Sequence, residues 1–292
     1  MQQLIRPNHS RVMFWNIWGH RHPSALHKFV RHWTPDTDVF CFTEVTDVNH
    51  EVVDQHGTAL KYGDNPNEAP QNVNGMTQLV AEFGDRYDHV YGSSRRSNWT
   101  CEKYGRSFPQ VGFGSALFFR GDLDVIATGY DLLCDGLENV RPRLLQWIIY
   151  DKAGVRYLVA HFHGVWIKEN TKGDHPARLV QSEEVLQRVA AAAEAHDVEK
   201  VVFGGDFNLD IKTEALKLLH DFDNSAQGPF RNLITEFGIT DTRTTEYRKH
   251  NWPGESLYAD YAFAGSNVSV TRFDVLNRVL ASDHAPLLLE FI

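Results

Sequence analysis

The segment Val201–Asp210, Val-Val-Phe-Gly-Gly-Asp-Phe-Asn-Leu-Asp, is an apolar run that delivers Asp206 and Asn208 together at its carboxyl end. Side chains two apart on a strand share a face, and strand ends are where open α/β folds place their chemistry. The pattern recurs. Asn16 lies at the end of Val12–Ile17, Glu44 follows Val39–Thr43, and His163 follows Tyr157–Phe162. Asp260 sits in Tyr-Ala-Asp-Tyr-Ala-Phe, and Asp283 and His284 sit in Ala-Ser-Asp-His-Ala-Pro-Leu. Alone, Asp206 and Asn208 would be ordinary turn residues after a strand. Repeated from Asn16 to His284, such ends call for a fold that gathers them in one place.

With 292 residues, 42% hydrophobic and 12% aromatic, the chain can bury a large core. No linker-like or repeated stretch divides it, so one catalytic domain spanning residues 1–292 is expected. Apolar or alternating runs predict strands at Arg11–Trp18, Val39–Val45, Ser115–Arg120, Leu144–Asp151, Arg156–His163, Lys200–Phe207, Asp260–Ala264, Val268–Leu276 and Leu287–Ile292. Helices are predicted from Ser24 to before Pro35, from Pro176, over Glu214–His220 behind Thr213, and over Phe230–Phe237 before Gly238. Tyr150–Arg156 reads as a hairpin, so the sheet is not purely parallel. Interspersed strands and helices suggest sheets packed face to face with helices outside.

The formal net charge of -9, from 29 Lys plus Arg against 38 Asp plus Glu, opposes nonspecific wrapping of long duplex nucleic acid. Three cysteines, Cys41, Cys101 and Cys134, have no metal or redox spacing, and Cys41 sits in an apolar run. There is no apolar run long enough to span a membrane and no secretion-type apolar segment at the amino terminus. A cytoplasmic protein is expected.

Phosphoester hydrolysis needs charge neutralised on non-bridging oxygens, an aimed water and a stabilised leaving oxygen. Glu44 is a hard oxygen ligand suited to Mg²⁺, with Mn²⁺ as a substitute, and Asn16 can add a neutral carbonyl. Asp206 would orient and deprotonate water while Asn208 holds water or phosphate. His163 and His284 can donate to phosphate oxygens, Asp260 can fix the tautomer of His284, and Asp283 can complete the metal's shell. His161 and His163 share a strand face, which also fits zinc, but acidic and cysteine partners at nearby spacing are missing.

The ordered set Asn16, Glu44, His163, Asp206 with Asn208, Asp260, and Asp283 with His284 resembles the endonuclease/exonuclease/phosphatase superfamily of DNase I-like enzymes. Phe-Trp-Asn-Ile, Phe-Thr-Glu-Val, Gly-Gly-Asp-Phe-Asn and Ser-Asp-His-Ala-Pro-Leu carry the likeness from Val12 to Leu288, and Gly114–Arg120 resembles the family's central strand. The resemblance implies a four-layer α/β sandwich, two packed mixed β-sheets flanked by helices. It also implies a Mg²⁺ or Mn²⁺ requirement and single-displacement hydrolysis. Trp18 stands where the abasic-site endonuclease branch commonly has an acidic residue, and His163 where it commonly has Tyr, so that branch is disfavoured.

Ser93–Gln110 interleaves Arg95, Arg96, Lys103 and Arg106 with Trp99, Tyr104 and Phe108, a candidate recognition loop for phosphates and bases. Lys168, Lys172 and Arg178 could clamp an anion near the helix that begins at Pro176. Arg243, Arg248 and Lys249 beside Tyr247 and Trp252 form a second basic and aromatic patch. A nuclease-type phosphodiesterase acting on short or single-stranded nucleic acid is therefore the leading expectation. A phosphatase for a sugar, inositol or nucleotide phosphate is the alternative. A non-catalytic binder would lack Glu44, Asp206 or His284, and a calcineurin-like dinuclear enzyme would need Gly-Asn-His and Gly-His-x-His segments that this chain lacks.

Overall fold

Two parallel strand pairs, each closed by a crossover helix, organise the fold in a computed structural model that describes residues 9–48, 59–60, 71–101, 106–221, 223–224, 228–245, 247 and 256–292. Strand β1 (Ser10–Asn16) runs through the helix Pro23–Trp33 into β2 (Val39–Asp47). The short ladder β3 (Ala59–Leu60) with β4 (Gln71–Asn72) follows, then the helix Gly75–Phe83 and the long pair β5 (Tyr87–Cys101) and β6 (Arg106–Arg120). β7 (Asp124–Leu133) and β8 (Arg143–Lys152) lead to β9 (Val155–His163), which runs through the helix Pro176–Ala195 into β10 (Lys200–Asp206). The helix Glu214–Asp221 and the ladder β11 (Asp223–Asn224) with β12 (Gly228–Pro229) precede β13 (Arg231–Asn232), the helix Leu233–Glu236, β14 (Asp260–Ala264), β15 (Val270–Val275) and β16 (Leu287–Phe291). The two large sheets have the orders β15-β16-β1-β2-β6-β5 and β13-β14-β10-β9-β8-β7. Parallel neighbours require a long crossover while antiparallel ones do not, which explains the helix inside each central pair and the hairpins beside it.

Alternation along β1 sorts the core. Val12 and Phe14 join Leu158, Val202 and Phe203 of the second sheet, whereas Met13 and Trp15 join Leu26, Val30, Phe40 and Phe42 under the helices. Each such buried side chain contributes roughly 1.5–3 kcal/mol. The sheets thus face each other with helices outside, the predicted sandwich. Gly204 allows the central strands to approach, since a Cβ there would stand 2.9 Å from the Phe14 ring. Asn16 lies two residues beyond Phe14, and Asp206 two beyond Gly204. Both therefore leave the space between the sheets at the same end.

The structure corrects several sequence expectations. Ser93–Gln110 is part of the β5–β6 pair and not a loop, although residues 102–105 lie outside those described. Its arginines and small polar residues hid an alternating edge pair. β7 escaped because Gly129 and Asp131 dilute an alternation whose outward positions, among them Ile126 and Tyr130, face solvent. The helix Gly75–Phe83 carries no capping residue that its side chain bonds reveal. The first helix starts at Pro23, one residue before Ser24, and Phe230–Phe237 shortens to Leu233–Glu236 behind an Asn232 cap. Cys41 is buried, as expected. Among the described residues no helix is long and apolar enough to cross a membrane.

His161 lies inside the sandwich, fully buried, with its Nε2 3.1 Å from the Gln146 side-chain amide, whose nitrogen donates to it. No group of candidate metal ligands among the described residues includes it. Burial pushes its pKa from 6.5 down to about 3. Above pH 6.5 both folded and unfolded chains hold this imidazole neutral, but below it only the unfolded chain takes up the proton. Stability should therefore fall with acidity between pH 6.5 and about 3, by up to about 1.4 kcal/mol per pH unit from this group. Urea unfolding midpoints measured from pH 7 to 4.5 should show a shallower pH slope for His161→Gln than for the parent chain.

Candidate active site

Strand register assembles the site. Asp206 ends β10 with His163 beside it on β9 and Asp260 beside it on β14. In the other sheet Asn16 ends β1 opposite Thr43. On a regular strand Glu44 would share the helix-facing side with Phe40 and Phe42. A bulge between Thr43 and Val45, with Glu44 at φ 58°, turns the carboxylate toward Asn16 instead. Gly164 closes the same end of the second sheet: its N–H donates to the Asp206 carbonyl at 2.6 Å, and a Cβ would come within 2.1 Å of the Phe207 carbonyl.

The side chains meet across the sheets. Asn16 Nδ2 donates to Glu44 Oε1 at 3.1 Å and to Asp206 Oδ2 at 3.0 Å, while its carbonyl accepts the Trp18 N–H at 2.9 Å. His163 Nε2 stands 3.6 Å from Asp206 Oδ2 and 3.8 Å from Glu44 Oε1. His284 Nδ1 is 2.8 and 3.0 Å from the two Asp260 oxygens, and its Nε2 is 3.6 Å from Asp206 Oδ2. The Asn208 N–H donates to Asp206 Oδ1 at 3.0 Å, its side-chain carbonyl accepts from Lys172 Nζ at 2.8 Å, and its amide donates to the Gly164 carbonyl at 3.2 Å.

These contacts separate the protonation states. Burial opposes ionisation of Asp206, yet His284, Lys172, His163 and Arg243 outweigh it and hold the carboxyl well below the usual range. Burial raises Glu44 against the Asn16 N–H. Burial, with Arg143 nearby, lowers His163 to about 3. For His284, burial and Arg243 favour the neutral ring, but Asp260, Asp283 and Asp206 prevail and raise its pKa. One imidazole is thereby set neutral and the other toward the cation.

The structure brings Asn16, Glu44, His163, Asp206, Asn208, Asp260 and His284 together. Two sets of ligand atoms lie within 4.8 Å of one another, Glu44 with His163 and Asp206, and Asp206 with Asp260 and His284. Asp283 belongs to neither: its Oδ2 faces Arg243 Nη1 at 3.6 Å and His284 Nε2 at 3.8 Å, an ion-pair position in place of the expected metal-ligand role. Asn16 likewise presents its amide N–H, not its carbonyl, to the carboxylates.

The expected substrate-binding cations fare differently. Arg178 is fully buried and spends its donors on the Val165, Gly173 and Thr171 carbonyls, so it braces the 164–174 loop and does not meet an anion. Arg96 pairs with Asp47 at 2.8 Å and bonds the Gln110 carbonyl. Lys168 is exposed and lies outside the cleft wall. The side chains of Arg95, Trp99, Arg106 and Phe108, and residues Glu102, Lys103, Tyr104, Arg248, Lys249 and Trp252, lie outside those described. Five cations line the cleft, Arg21, Arg141, Arg143, Lys172 and Arg243, of which Arg143, Lys172 and Arg243 lie nearest the carboxylates. Arg143 begins β8, and the Nε atoms of Arg143 and Arg243 find no partner among the described residues. Arg243 Nη1 lies 2.5 Å from His284 Nε2, and its guanidinium lies 4.6 Å from the centre of the Tyr247 ring.

All of this opens into one cleft of roughly 1040 Å³, walled also by Trp18, Gln71 and Trp166. In sequence, the chain matches the profile of the Endonuclease/Exonuclease/phosphatase family over residues 13–284. No curated protein matches it. In structure it is similar to an endonuclease/exonuclease/phosphatase from Bacteroides vulgatus, at 15% identity over 98% of this chain and 99% of that one, TM-score 0.64. It is also similar to a mannosyl-6-phosphatase from Bacteroides thetaiotaomicron, at 17% identity over 97% and 99%, TM-score 0.64. The human Nocturnin catalytic domain with bound sulfate is similar at 17% identity over 98% and 95%, TM-score 0.64. At these identities the solved structures establish a shared fold.

Asp260→Asn should remove the charge that holds His284 toward its protonated form. NMR titration of the His284 ring should show its pKa falling, and turnover should drop roughly 10–100-fold, the usual cost of losing a partner that orients a working histidine.

Proposed function

Because the chain belongs to the Endonuclease/Exonuclease/phosphatase family and is a phosphoester hydrolase, we propose that its cleft cleaves a phosphoester in a single displacement, with water aimed and deprotonated by Asp206. The observation that carries this reading is the convergence of two imidazole Nε2 atoms, each 3.6 Å from the same oxygen, Asp206 Oδ2. Asp206 is held ionised, so it accepts the proton from water without first losing its own. Asn208, fixed by Lys172 and Gly164, positions the nucleophile beside it. His284, anchored at Nδ1 by Asp260, offers Nε2 to a phosphate oxygen when Arg243 Nη1, 2.5 Å from it, turns to the same phosphate. Arg143, Arg243 and Lys172 supply charge around the phosphoryl group as it transfers.

The donor set also fits a divalent cation. Glu44 and Asp206 bring two carboxylates and the neutral His163 ring within 4.8 Å, and hard oxygen donors in a buried wall suit Mg²⁺ or Mn²⁺. Such an ion neutralises charge on the non-bridging oxygens of the phosphate.

Two ester classes compete. Nuclease-type phosphodiesterase action on short or single-stranded nucleic acid rested on the Ser93–Gln110 segment, where Arg96 proves to be engaged with Asp47. Phosphatase action is favoured by the buried cations that gather about a single point, Lys172 and Arg243 beside Asp206. A phosphatase among the similar structures supports keeping monoesters in view.

Hydrolysis of bis(p-nitrophenyl) phosphate and p-nitrophenyl phosphate, each with Mg²⁺, Mn²⁺ or chelator, tests the proposal. Turnover should require the cation, Asp206→Asn should lose about 10³-fold while circular dichroism shows its fold retained, and Glu44→Gln should shift the metal titration to higher concentration. Full activity in Asp206→Asn would remove it from the mechanism, and an unchanged metal titration in Glu44→Gln would move the cation elsewhere.

A further inference from the structure

We propose that Trp18 and Gln71, the latter packed on Gly19, form a recognition subsite for the hydroxyl-rich alcohol portion, a sugar or polyol, of a substrate bearing one terminal phosphate. This rests on the phosphoester-hydrolase reading and names the substrate class of the same cleft.

The backbone after Asn16 makes a left-handed turn of three consecutive residues, Trp18 at φ 52°, Gly19 at φ 62° and His20 at φ 57°. For the two residues with side chains this costs on the order of 1–2 kcal/mol each. Such strain persists only where the surroundings enforce it. Here they do: His20 is fully buried, with Nε2 3.0 Å from His27 Nε2, and His27 Nδ1 lies 3.5 Å from Glu82. The turn places Trp18 in the cleft wall, with the Arg21 guanidinium 4.8 Å from the centre of its ring. An indole face there offers an apolar platform next to the reacting centre.

Gln71 covers the turn. A Cβ on Gly19 would stand 2.6 Å from Gln71 Nε2, so the amide packs directly on the glycine backbone. Gln71 is 7% exposed and lines the cleft, yet its Oε1 has no hydrogen-bond partner among the described residues. A buried acceptor left unpaired costs roughly 1–3 kcal/mol, which a ligand donor would recover once the amide turns its Oε1 into the cleft. Hydroxyl groups are such donors; ionised phosphates are acceptors alone.

Charge layering makes the same distinction. Lys172 and Arg243 are buried in the cleft beside Asp206, whereas the exposed part of its wall carries Glu138 and Glu169 against Arg141. One phosphate is drawn inward, but a second, as in an oligonucleotide, would meet two carboxylates against one guanidinium among the described exposed residues of the wall. Hydroxyls can donate to those same carboxylates.

The test is kcat/KM with Mg²⁺ for hexose 6-phosphates, a 5′-nucleotide, a short 5′-phosphorylated oligonucleotide and p-nitrophenyl phosphate, on the parent chain, Gln71→Leu and Glu138→Gln. A hexose phosphate should be preferred over p-nitrophenyl phosphate and the oligonucleotide by about tenfold or more. Gln71→Leu should lower the hexose phosphate to p-nitrophenyl phosphate ratio about tenfold, chiefly through KM, and Glu138→Gln should narrow the gap to the oligonucleotide. An unchanged ratio in Gln71→Leu at the parent melting temperature would overturn the subsite; if that variant melts early, Gln71→Asn, which retracts the carbonyl, serves in the same comparison. Preference for the nucleotide or the oligonucleotide would overturn the substrate class while leaving hydrolysis intact. Absence of turnover on every ester, p-nitrophenyl phosphate included, would overturn both this inference and the reading beneath it.

Discussion

The Asn16 amide joins the two sheets at their working end. It donates at once to Glu44 in its own sheet and to Asp206 in the other, so two carboxylates that would repel in a buried wall are held in one frame. An uncompensated buried charge is among the costliest features a fold can contain. The chain meets that cost by convergence: cations, imidazoles and backbone N–H groups are all directed at Asp206, and the fold must bring four strand ends together to supply them. The sandwich can therefore be understood as the scaffold that keeps Asp206 ionised away from bulk water.

That demand leaves its mark on the backbone. Glu44, Asn208, Trp18 and His20 all adopt left-handed conformations that their side chains disfavour, and all lie at or next to the site. In each case a neighbour enforces the geometry. The Thr43/Val45 bulge sits between flanking ladder pairs, Asn208 is held by the Asp206 carboxylate, and the Trp18 N–H is captured by Asn16. Rigid strands set the positions of the side chains; the local strain sets their direction.

The strand ends were legible in sequence because their chemistry and their period coincide. An apolar run that stops at Asp, Asn or His announces both an element and its end, which is why Asn16, His163 and Asp206 could be named before their neighbours were known. Glu44 was legible by position only, since simple alternation directs it to the wrong face and the bulge is invisible without a partner strand. Arg143 was missed although the signal existed. The hairpin pairs Lys152 with Val155 and Leu145 with Phe162, and continuing that register sets Arg143 opposite Gly164, beside His163. Arg178 misled for the opposite reason: a cation near a helix start was taken as an anion clamp, whereas burial gives its donors to three loop carbonyls.

Catalytic and recognition residues differ in how they are encoded. Asn16, His163, Asp206 and Asp260 sit at strand ends, where a register fixed by many backbone bonds leaves little freedom, so their placement follows from the order of the elements. Much of the cleft wall is drawn from segments between the strands, from Trp18 on one side and Glu138, Glu169 and Lys172 on others, which share no ladder and no common period. Their mutual arrangement depends on contacts far apart in sequence, such as the Gln71 amide over Gly19 or the Arg178 brace under the 164–174 loop. Substitution of Glu138 or Glu169 can change what the site admits without disturbing Asp206. The same separation explains how one strand framework can keep its phosphoester chemistry while the choice of alcohol is made elsewhere in the chain.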